Sequence, residues 1–332
     1  MATHHLTIQK YEFLIRPQSD FSIPSFLGAT LRGGFGYAFR DVTCALKRQE
    51  CASCLLREHC AYVYVFETKP PEGASMMRLY PTIPHPFVFE PPDGLPNTTC
   101  AAGTLLSIGL LLIGRAIDLL PYFICAFRRL GQKGLSRQRV LFDLVEVRGI
   151  GPCGAQTVIY DDRMQRLSSF TDSHLFDLAQ PVNTDCREVA LALDSPLRLK
   201  DQGTLTDAIP FRALIANLLR RASALAHFHC GAGLGGLDFA GLVRQAGQVV
   251  TRESRLKWKD LERFSTRQRQ TMKLGGVVGS IVYEGHLGPF MGILRFGEVA
   301  HAGKGTSFGL GKYRIVENPG RTEDSCESSR SQ

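Results

Sequence analysis

Runs of alternating apolar and polar residues along the chain predict strands, and apolar residues at three- and four-residue spacing predict helices. Residues 4–16 alternate and end in the β-rich YEFLI, which predicts an opening strand. Pro24 then precedes Phe26, Leu27 and further apolar residues at helical spacing, which predicts a helix to about Arg40. A strand followed by an amphipathic helix indicates a fold of mixed α and β elements.

The remainder of the first half continues this order. We expect strands near residues 62–66, 104–113 and 140–147, with a helix between the last two. The resulting order βαββαβ is typical of a ferredoxin-like domain. Eight of the 17 prolines lie in 70–96, and their missing amide donors predict an irregular loop or a sheet edge there.

The second half repeats the same order of elements and predicts a second, RRM-like domain of this kind. A helix of about 20 residues follows Asp207, and two β-rich runs, a short helix and a last strand come after it. The expected organisation is therefore two tandem ferredoxin-like domains at 1–160 and 187–316, a polar linker at 161–186 and a disordered tail at 317–332.

Composition restricts the class of protein and its partners. The chain has 332 residues, of which 44% are hydrophobic and 21% charged, so a disulfide-stapled miniprotein and a disordered chain are excluded. A net charge of +8 favours an anionic partner. The N-terminus shows no secretory signal pattern, and the most apolar stretch, 104–114, is about half of what a bilayer requires. We therefore expect a cytoplasmic protein.

Four cysteines lie within 17 residues of each other after the first predicted helix, at Cys44, Cys51, Cys54 and Cys60. Four thiolates at this spacing predict a structural zinc site inserted at 44–60, with an iron–sulfur cluster as the alternative and His59 as an alternative ligand to Cys60. A full set of thiolate ligands leaves no open position for substrate, which disfavours a zinc-dependent hydrolase.

The C-terminal part of the chain is dense in glycine. Eleven of the 33 glycines lie between Gly275 and Gly311, and the densest segment is the glycine loop, residues 303–311. Glycine lets backbone amides approach phosphate oxygens, and the neighbouring lysines and hydroxyls add donors. The spacing does not match a nucleotide-binding P-loop, whereas an ordinary glycine-rich turn remains an alternative. The predicted phosphate-contacting residues are Gly303, Gly305, Thr306, Ser307, Gly309, Gly311 and Lys312.

A cationic ribbon, residues 252–273, precedes the glycine loop. It holds eight basic residues against three acidic ones, with Trp258 and Phe264 interleaved. On a two-stranded ribbon, alternate basic side chains share one face that can follow a phosphate backbone while an aromatic ring stacks on a base. A simple solvated face is the alternative. The candidate RNA contacts are Arg252, Arg255, Arg267 and Arg269.

Three segments resemble one family. The runs LKWKDLERFSTRQRQTMKLGGVVGSIVYEG and LGPFMGILRFGEVAHAGKGTSFGLGKYRI are similar to the C-terminal part of the CRISPR-associated repeat-processing endoribonucleases of the RAMP superfamily. The run LRGGFGYAFRD, followed by the cysteines, resembles the N-terminal part of one branch of them. The resemblance implies two ferredoxin-like domains, binding of CRISPR repeat RNA, and cleavage by the substrate's own 2′-hydroxyl that leaves a 2′,3′-cyclic phosphate and a 5′-hydroxyl without a catalytic metal.

Members of this family often carry a catalytic histidine on or near the first helix, but residues 24–41 contain none. We expect His301 to act as general acid or base, because it lies beside the glycine loop and imidazole suits proton transfer near neutral pH. Tyr37 is expected as orienting partner or base, and Lys304 as electrostatic stabiliser. Arg32 and Arg40 lie eight residues apart on one helical face and are candidate phosphate contacts.

Two functions follow from this sequence. The first is a metal-independent endoribonuclease that matures guide RNA and remains bound to its product. The second is a non-catalytic RNA-binding subunit of a CRISPR effector complex with the same fold, which the missing helix histidine favours.

Overall fold

A computed structural model gives the fold of the chain. It describes residues 5–47, 50–70, 73–74, 76–77, 80–92, 97–178, 185–231, 233–234, 237–265 and 270–316, and for 263–265 and 270–272 it describes the backbone alone. The predicted tail, 317–332, and two predicted RNA contacts, Arg267 and Arg269, lie outside the described residues.

The described residues form strands and helices in both halves of the chain. The helices are α1 (Leu27–Thr43), α2 (Leu120–Lys133), α3 (Phe211–His229), α4 (Phe239–Ala246) and α5 (Met291–Ala300). The strands of the N-terminal half are β1 (Leu6–Pro17), β2 (Phe21–Ser22), β3 (Phe87–Glu90), β4 (Thr99–Cys100), β5 (Leu106–Ile113), β6 (Phe142–Ile150), β7 (Gln156–Asp161), β8 (Arg166–Leu167) and β9 (His174–Phe176). Those of the C-terminal half are β10 (Glu188–Leu197), β11 (Leu199–Asp201), β12 (Thr204–Thr206), β13 (Val250–Lys259), β14 (Glu262–Ser265), β15 (Gln270–Lys273), β16 (Gly276–Glu284) and β17 (Tyr313–Val316).

The N-terminal sheet is antiparallel and carries α1 and α2 on one face. Its strand order is β3-β5-β1-β6-β7-β8, and β9 pairs with the start of β1. Because side chains alternate along a strand, Tyr11, Phe13 and Ile15 point to the helices and join a core rich in aromatic rings. Lys10 lies on the opposite face of the sheet.

The C-terminal sheet is also antiparallel, in the order β13-β16-β10-β17, and its core is shared with α3 and α5. When the additional short strands and α4 are set aside, each half has the order strand, helix, two strands, helix and strand. These elements are β1, α1, β3, β5, α2 and β6 in the first half and β10, α3, β13, β16, α5 and β17 in the second. The predicted mixed fold of α and β elements with antiparallel sheets is confirmed, and it is consistent with ferredoxin-like domains. Leu6, Ile8 and Val88 of the N-terminal half belong to the C-terminal core, so the two halves share buried surface.

One predicted strand is wrong. Residues Val63–Glu67 form a π-helix, and the second strand of the N-terminal order is β3, inside the proline-rich segment. The aromatic residues that suggested a strand, Tyr62, Tyr64 and Phe66, instead pack at the edge of the N-terminal core. Strand β3 is the edge of its sheet, a position where neighbouring prolines remove few ladder hydrogen bonds.

Residues 156–176 extend the N-terminal sheet through β7, β8 and β9, where the sequence predicted mainly a polar excursion. Residues 151–155 form the turn of the β6–β7 hairpin. Within the part of the chain that the structure describes, no helix is both long and apolar enough to cross a bilayer.

Candidate nucleic-acid interface

The glycine loop joins α5 to β17 and lies against the N-terminal half of the molecule. A Cβ on Gly28, near the start of α1, would lie 1.9 Å from the carbonyl oxygen of Phe308. A Cβ on Gly309 would lie 2.7 Å from the carbonyl oxygen of Phe89. Because no side chain fits at these distances, the glycines allow the two halves to touch backbone to backbone. They serve the contact between the halves.

Burial divides the glycine loop into two parts. The buried residues are Thr306, Ser307, Gly309 and Gly311. The two ends of the loop meet where the amide of Ala302 donates to the carbonyl of Gly311 at 2.9 Å, and we call this junction the neck of the glycine loop. The burial of these four residues argues against the direct RNA contact that the sequence predicted for them. Lys304 is exposed, and the other predicted contacts of the loop are half-buried: Gly303, Gly305 and Lys312.

Lys304 is the centre of a cationic cluster that we define as Arg198, Lys200, Arg220 and Lys304. The amide of Lys304 donates to the carbonyl of Arg198 at 2.9 Å, which fixes the loop beside the β10–β11 connection. Partial burial and the positive charges of Lys200, Arg198 and Arg220 lower the pKa of Lys304. The positive charges of these side chains repel one another, so an anion bound there would relieve the repulsion.

The cationic cluster lies beside the base of the cationic ribbon. Arg198 donates from Nη1 to the carbonyl of Lys273 at 2.8 Å, and Leu310 of the glycine loop packs with Leu261 and Leu274. Strand β13 is exposed along nearly its whole length, including Lys257 and Lys259. The loop and the ribbon therefore meet at Lys304, Arg198 and Lys273 and form one continuous surface there.

Arg32 joins α1 to the glycine loop. Its Nε donates to Oγ of Ser307 at 2.9 Å, its Nη2 lies 2.9 Å from Nε2 of His85, and its guanidinium lies 4.6 Å from the centre of the Phe308 ring. Burial and the charge of Arg32 lower the pKa of His85 to about 3, so the ring is neutral and accepts from Arg32. Arg32 thus contacts the loop that the sequence placed next to RNA.

Comparison with known families and structures identifies the chain. Residues 191–313 match the family described as CRISPR-associated endoribonuclease Cas6, and residues 6–171 match the N-terminal domain AF_1859_N. A solved Cas6 product complex is similar at 13% identity, covers 93% of this chain and 100% of its own, and has a TM-score of 0.57. Residues 191–313 of the chain therefore belong to the Cas6 family, and the chain as a whole has the fold of solved Cas6 proteins.

Other similarities agree with this family membership. Thermus thermophilus Cas6 is 12% identical, with coverage of 94% and 99% of the two chains and a TM-score of 0.53. A partial Cas6-RT-Cas1–Cas2 complex is 12% identical over 97% of this chain and 48% of its own, with a TM-score of 0.56. At these identities the likeness concerns the fold. An uncharacterized protein of Archaeoglobus fulgidus is 27% identical over 119 residues, 35% of this chain and 38% of that protein.

His301 does not occupy the position expected of a proton-transfer group in this Cas6-family chain. Its side chain is 0% exposed, with Nε2 3.1 Å from Oε1 of Glu90 and Nδ1 3.2 Å from the carbonyl oxygen of Leu310. An RNA 2′-hydroxyl on the surface cannot reach either nitrogen. The predicted role as acid or base therefore does not fit the position of His301.

A cleft of about 620 Å³ beside Glu90 is lined by strands of the N-terminal sheet on one side and mainly by α5 and β17 on the other. Glu90 is 3.0 Å from Nζ of Lys10 and 3.6 Å from Nζ of Lys312. Burial raises the pKa of Glu90, but the hydrogen bond and charge of His301 and the two lysines outweigh burial and bring it well below its usual value. Lys312, predicted as an RNA contact, is thus already in contact with a carboxylate at this cleft.

Tyr37 and Arg40 lie on α1 at different degrees of exposure. Tyr37 is 60% exposed, so its hydroxyl is accessible to a bound ligand. Arg40 is half-buried, and its guanidinium lies 5.7 Å from the centre of the Tyr62 ring. On the ribbon, Arg252 pairs with Glu188 and Arg255 with Glu253, which reduces the charge those two arginines offer to RNA.

The predicted zinc site is not supported by the arrangement of its ligands. The thiols of Cys44, Cys51, Cys54 and Cys60 are half-buried, and no group of three or more His, Cys, Asp or Glu side chains among the described residues is placed to hold a metal ion. Burial lowers the pKa of Arg40, but the nearby Cys51 and a hydrogen bond with Cys44 raise it overall, so a guanidinium lies among these thiols. Metal analysis of the purified chain tests the zinc prediction, and about one zinc ion per chain would support it.

The sequence predicted some residues of this surface and missed others. Lys304 and the ribbon were found because they stand in glycine-rich or charge-rich runs. Arg198, Lys200 and Arg220 are distant from Lys304 in the sequence and approach it only in the fold, and His85 meets Arg32 in the same way. The residue Glu90 carried no signal beyond its place at the end of a short apolar run, FVFE.

Proposed function

We propose that the chain binds CRISPR repeat RNA and cleaves the precursor transcript by attack of a substrate 2′-hydroxyl, without a catalytic metal. Membership of the Cas6 endoribonuclease family supports CRISPR RNA processing. The observation that carries the proposal is the continuous cationic surface formed by the cationic cluster and the ribbon base. Lys304 is the exposed residue of the glycine loop on this surface, where a phosphate polymer would contact it.

The chemistry requires few protein groups. The 2′-oxygen loses its proton to a base and bonds to phosphorus, and the bond from phosphorus to the 5′-oxygen breaks while an acid protonates that oxygen. A cation neutralises the added charge of the phosphorane. We assign Lys304 to supplying this charge, and Tyr37, the exposed titratable group of α1, to orienting the hydroxyl or accepting its proton. DNA lacks the 2′-hydroxyl and would be bound without being cut.

A second function is favoured by the histidines. His301 and His85 both have their ring nitrogens engaged by protein groups, so neither is placed to exchange a proton with a ligand. A non-catalytic subunit that holds CRISPR RNA within an effector complex needs the same cationic surface but no proton transfer. Binding alone therefore agrees with this arrangement as well as cleavage does.

One incubation separates the two functions. The full chain is mixed with repeat RNA in excess EDTA, and a matched RNA carries a single 2′-deoxy substitution 5′ of the cut. The proposal predicts cleavage of the first RNA, equal binding of both RNAs, and no cut in the second. Tight binding of both without any product would show that the chain is the non-catalytic subunit, and cleavage that EDTA abolishes would contradict metal independence.

A further inference from the structure

His301 has a backbone conformation that non-glycine residues rarely adopt. It is the residue after α5, with φ of 62° and ψ of 160°, a region that is essentially restricted to glycine. Its imidazole is fully buried. A strained and buried polar residue persists only when its surroundings hold it strongly, so the contacts of the ring identify its role.

The contacts of the ring fix its protonation state. Nδ1 lies 3.2 Å from the carbonyl oxygen of Leu310, which only accepts hydrogen bonds. Nε2 lies 3.1 Å from Oε1 of Glu90, and Lys10 at 3.0 Å and Lys312 at 3.6 Å keep that carboxyl group ionised. An ionised carboxylate also only accepts. Two acceptors require two N–H groups, and an imidazole has two only when it is protonated.

We propose that both ring nitrogens of His301 donate, one to Leu310 and one to Glu90, and that these two contacts fix the neck of the glycine loop and so position Lys304 for RNA. The ring joins Leu310 at one end of the loop to residue 301 at the other, and Glu90 joins this neck to the N-terminal half. His301 is therefore a positioning residue. The RNA part of this inference rests on the proposed function, whereas the charge state of the ring does not.

Other charged groups around the neck would act on the same proton. Arg221 of α3 donates to the carbonyl of Ala300 at 2.8 Å, immediately before His301. Lys10 on β1 and Lys312 before β17 also face Glu90. These three cations disfavour a further positive charge. Glu90 is the carboxylate in contact with the ring and favours it, and Asp194 and Glu298 line the same cleft. Replacing Glu90 by glutamine should therefore make His301 lose its extra proton.

The charge state is measured by nuclear magnetic resonance of the ¹⁵N-histidine-labelled full chain at pH 7.5. Long-range ¹H–¹⁵N correlations report whether each ring nitrogen carries a proton, and the His301→Gln variant identifies the His301 signals by their loss. We expect two protonated nitrogens in the wild type and one in Glu90→Gln. A wild-type ring with one unprotonated nitrogen overturns the proposal, whatever the chain does to RNA.

His229 offers a matched control. It is also a buried histidine, with Nδ1 3.1 Å from the Tyr64 hydroxyl and Nε2 2.8 Å from the Pro84 carbonyl oxygen, but it does not contact Glu90. In His229→Gln the His301 signals should remain those of the protonated ring. Loss of the His301 proton in this variant would show that the charge depends on general packing and would overturn the role of Glu90.

RNA binding gives the functional readout. Glu90→Gln and His301→Gln should each weaken repeat RNA binding by about tenfold, and the double variant should be no weaker than either single variant. If His301 were instead the acid or base, His301→Gln would abolish cleavage while affinity stayed unchanged. Additive losses in the double variant would contradict a joint action. RNA affinity can be measured even if the chain does not cleave. Failure of the proposed cleavage is therefore distinguishable from failure of the role assigned to His301 and Glu90.

Discussion

The glycine loop and the cationic ribbon are adjacent, but they differ in what surrounds them. Most of the loop is buried between the two halves, with backbone packed on backbone, while β13 of the ribbon is exposed along nearly its whole length. Both segments suggested phosphate binding from their residue types. The comparison shows that glycine-rich sequence here serves packing first, and that RNA is expected at the exposed cations beside it.

The largest effect is expected at Gly28. Gly28→Ala would place a Cβ 1.9 Å from the Phe308 carbonyl oxygen, and the two halves must separate to accept it. We expect a loss of about 4 kcal/mol in the free energy of unfolding, measured by urea denaturation.

Gly33 of the same helix is the control for Gly28. A Cβ on Gly33 meets no atom within 4 Å, so Gly33→Ala should stabilise the chain by up to about 1 kcal/mol through helix propensity. Equal stability of the two variants would contradict the close contact between α1 and the loop.

Glu90 should make stability depend on pH. Its pKa in the folded chain lies below the usual 4.5, so its contribution is fully present above about 4.5 and is lost as pH falls toward the folded value. Glu90→Gln should therefore cost about 3 kcal/mol at neutral pH and progressively less in acid, in urea denaturation at several pH values. A cost that does not change between pH 6 and pH 3 would exclude the ion pairs at the neck.

Lys304 should affect RNA affinity more than stability. Lys304→Met removes the exposed cation of the loop, and we expect binding about tenfold weaker and a salt dependence reduced by about 0.7 in log–log slope. Lys133→Met, on α2 where it pairs with Asp41 at 3.0 Å, is the control on another surface. Equal losses of RNA affinity in the two variants would indicate a general effect of net charge and would contradict a direct contact of Lys304 with RNA.

The smallest single effects are expected on the ribbon. Lys257→Gln and Lys259→Gln lie on an exposed strand, so unfolding should change by less than about 0.5 kcal/mol. RNA binding should weaken a few-fold for each and should lose salt dependence in proportion. Unchanged RNA affinity in a variant with both substitutions would show that the ribbon is an ordinary solvated face. It would contradict the contrast between an RNA-binding ribbon and a loop that serves packing.

The fold was largely predictable because its signals are local. The opening strand, the first helix and the helix after Asp207 show their period directly, and β1, α1 and α3 confirm them. The strand predicted at 62–66 failed because YVYVF has residue types that suit both a strand and a helical turn packed on aromatic neighbours. The strand that follows α1 in the N-terminal sheet is instead β3, which lies at the edge of that sheet.

The candidate site was less predictable because it forms between distant segments. Lys304, Arg198 and Arg220 approach one another only when α3 and the glycine loop are folded. His301 looked reactive because it stands beside the loop, and only the fold shows it in contact with Glu90. A sequence shows that a histidine can transfer protons, but not whether its nitrogens are already engaged.

Photo-cross-linking of repeat RNA tests the central claim most directly. Repeat RNA with 4-thiouridine at successive positions is irradiated on the full chain, and the attached peptides are identified by mass spectrometry. The account predicts attachment to peptides that contain Lys304, residues 198–200, Arg220 and the exposed Trp258 of the ribbon. Cross-links confined to α2 or to the cysteine segment, with none at these peptides, would contradict it.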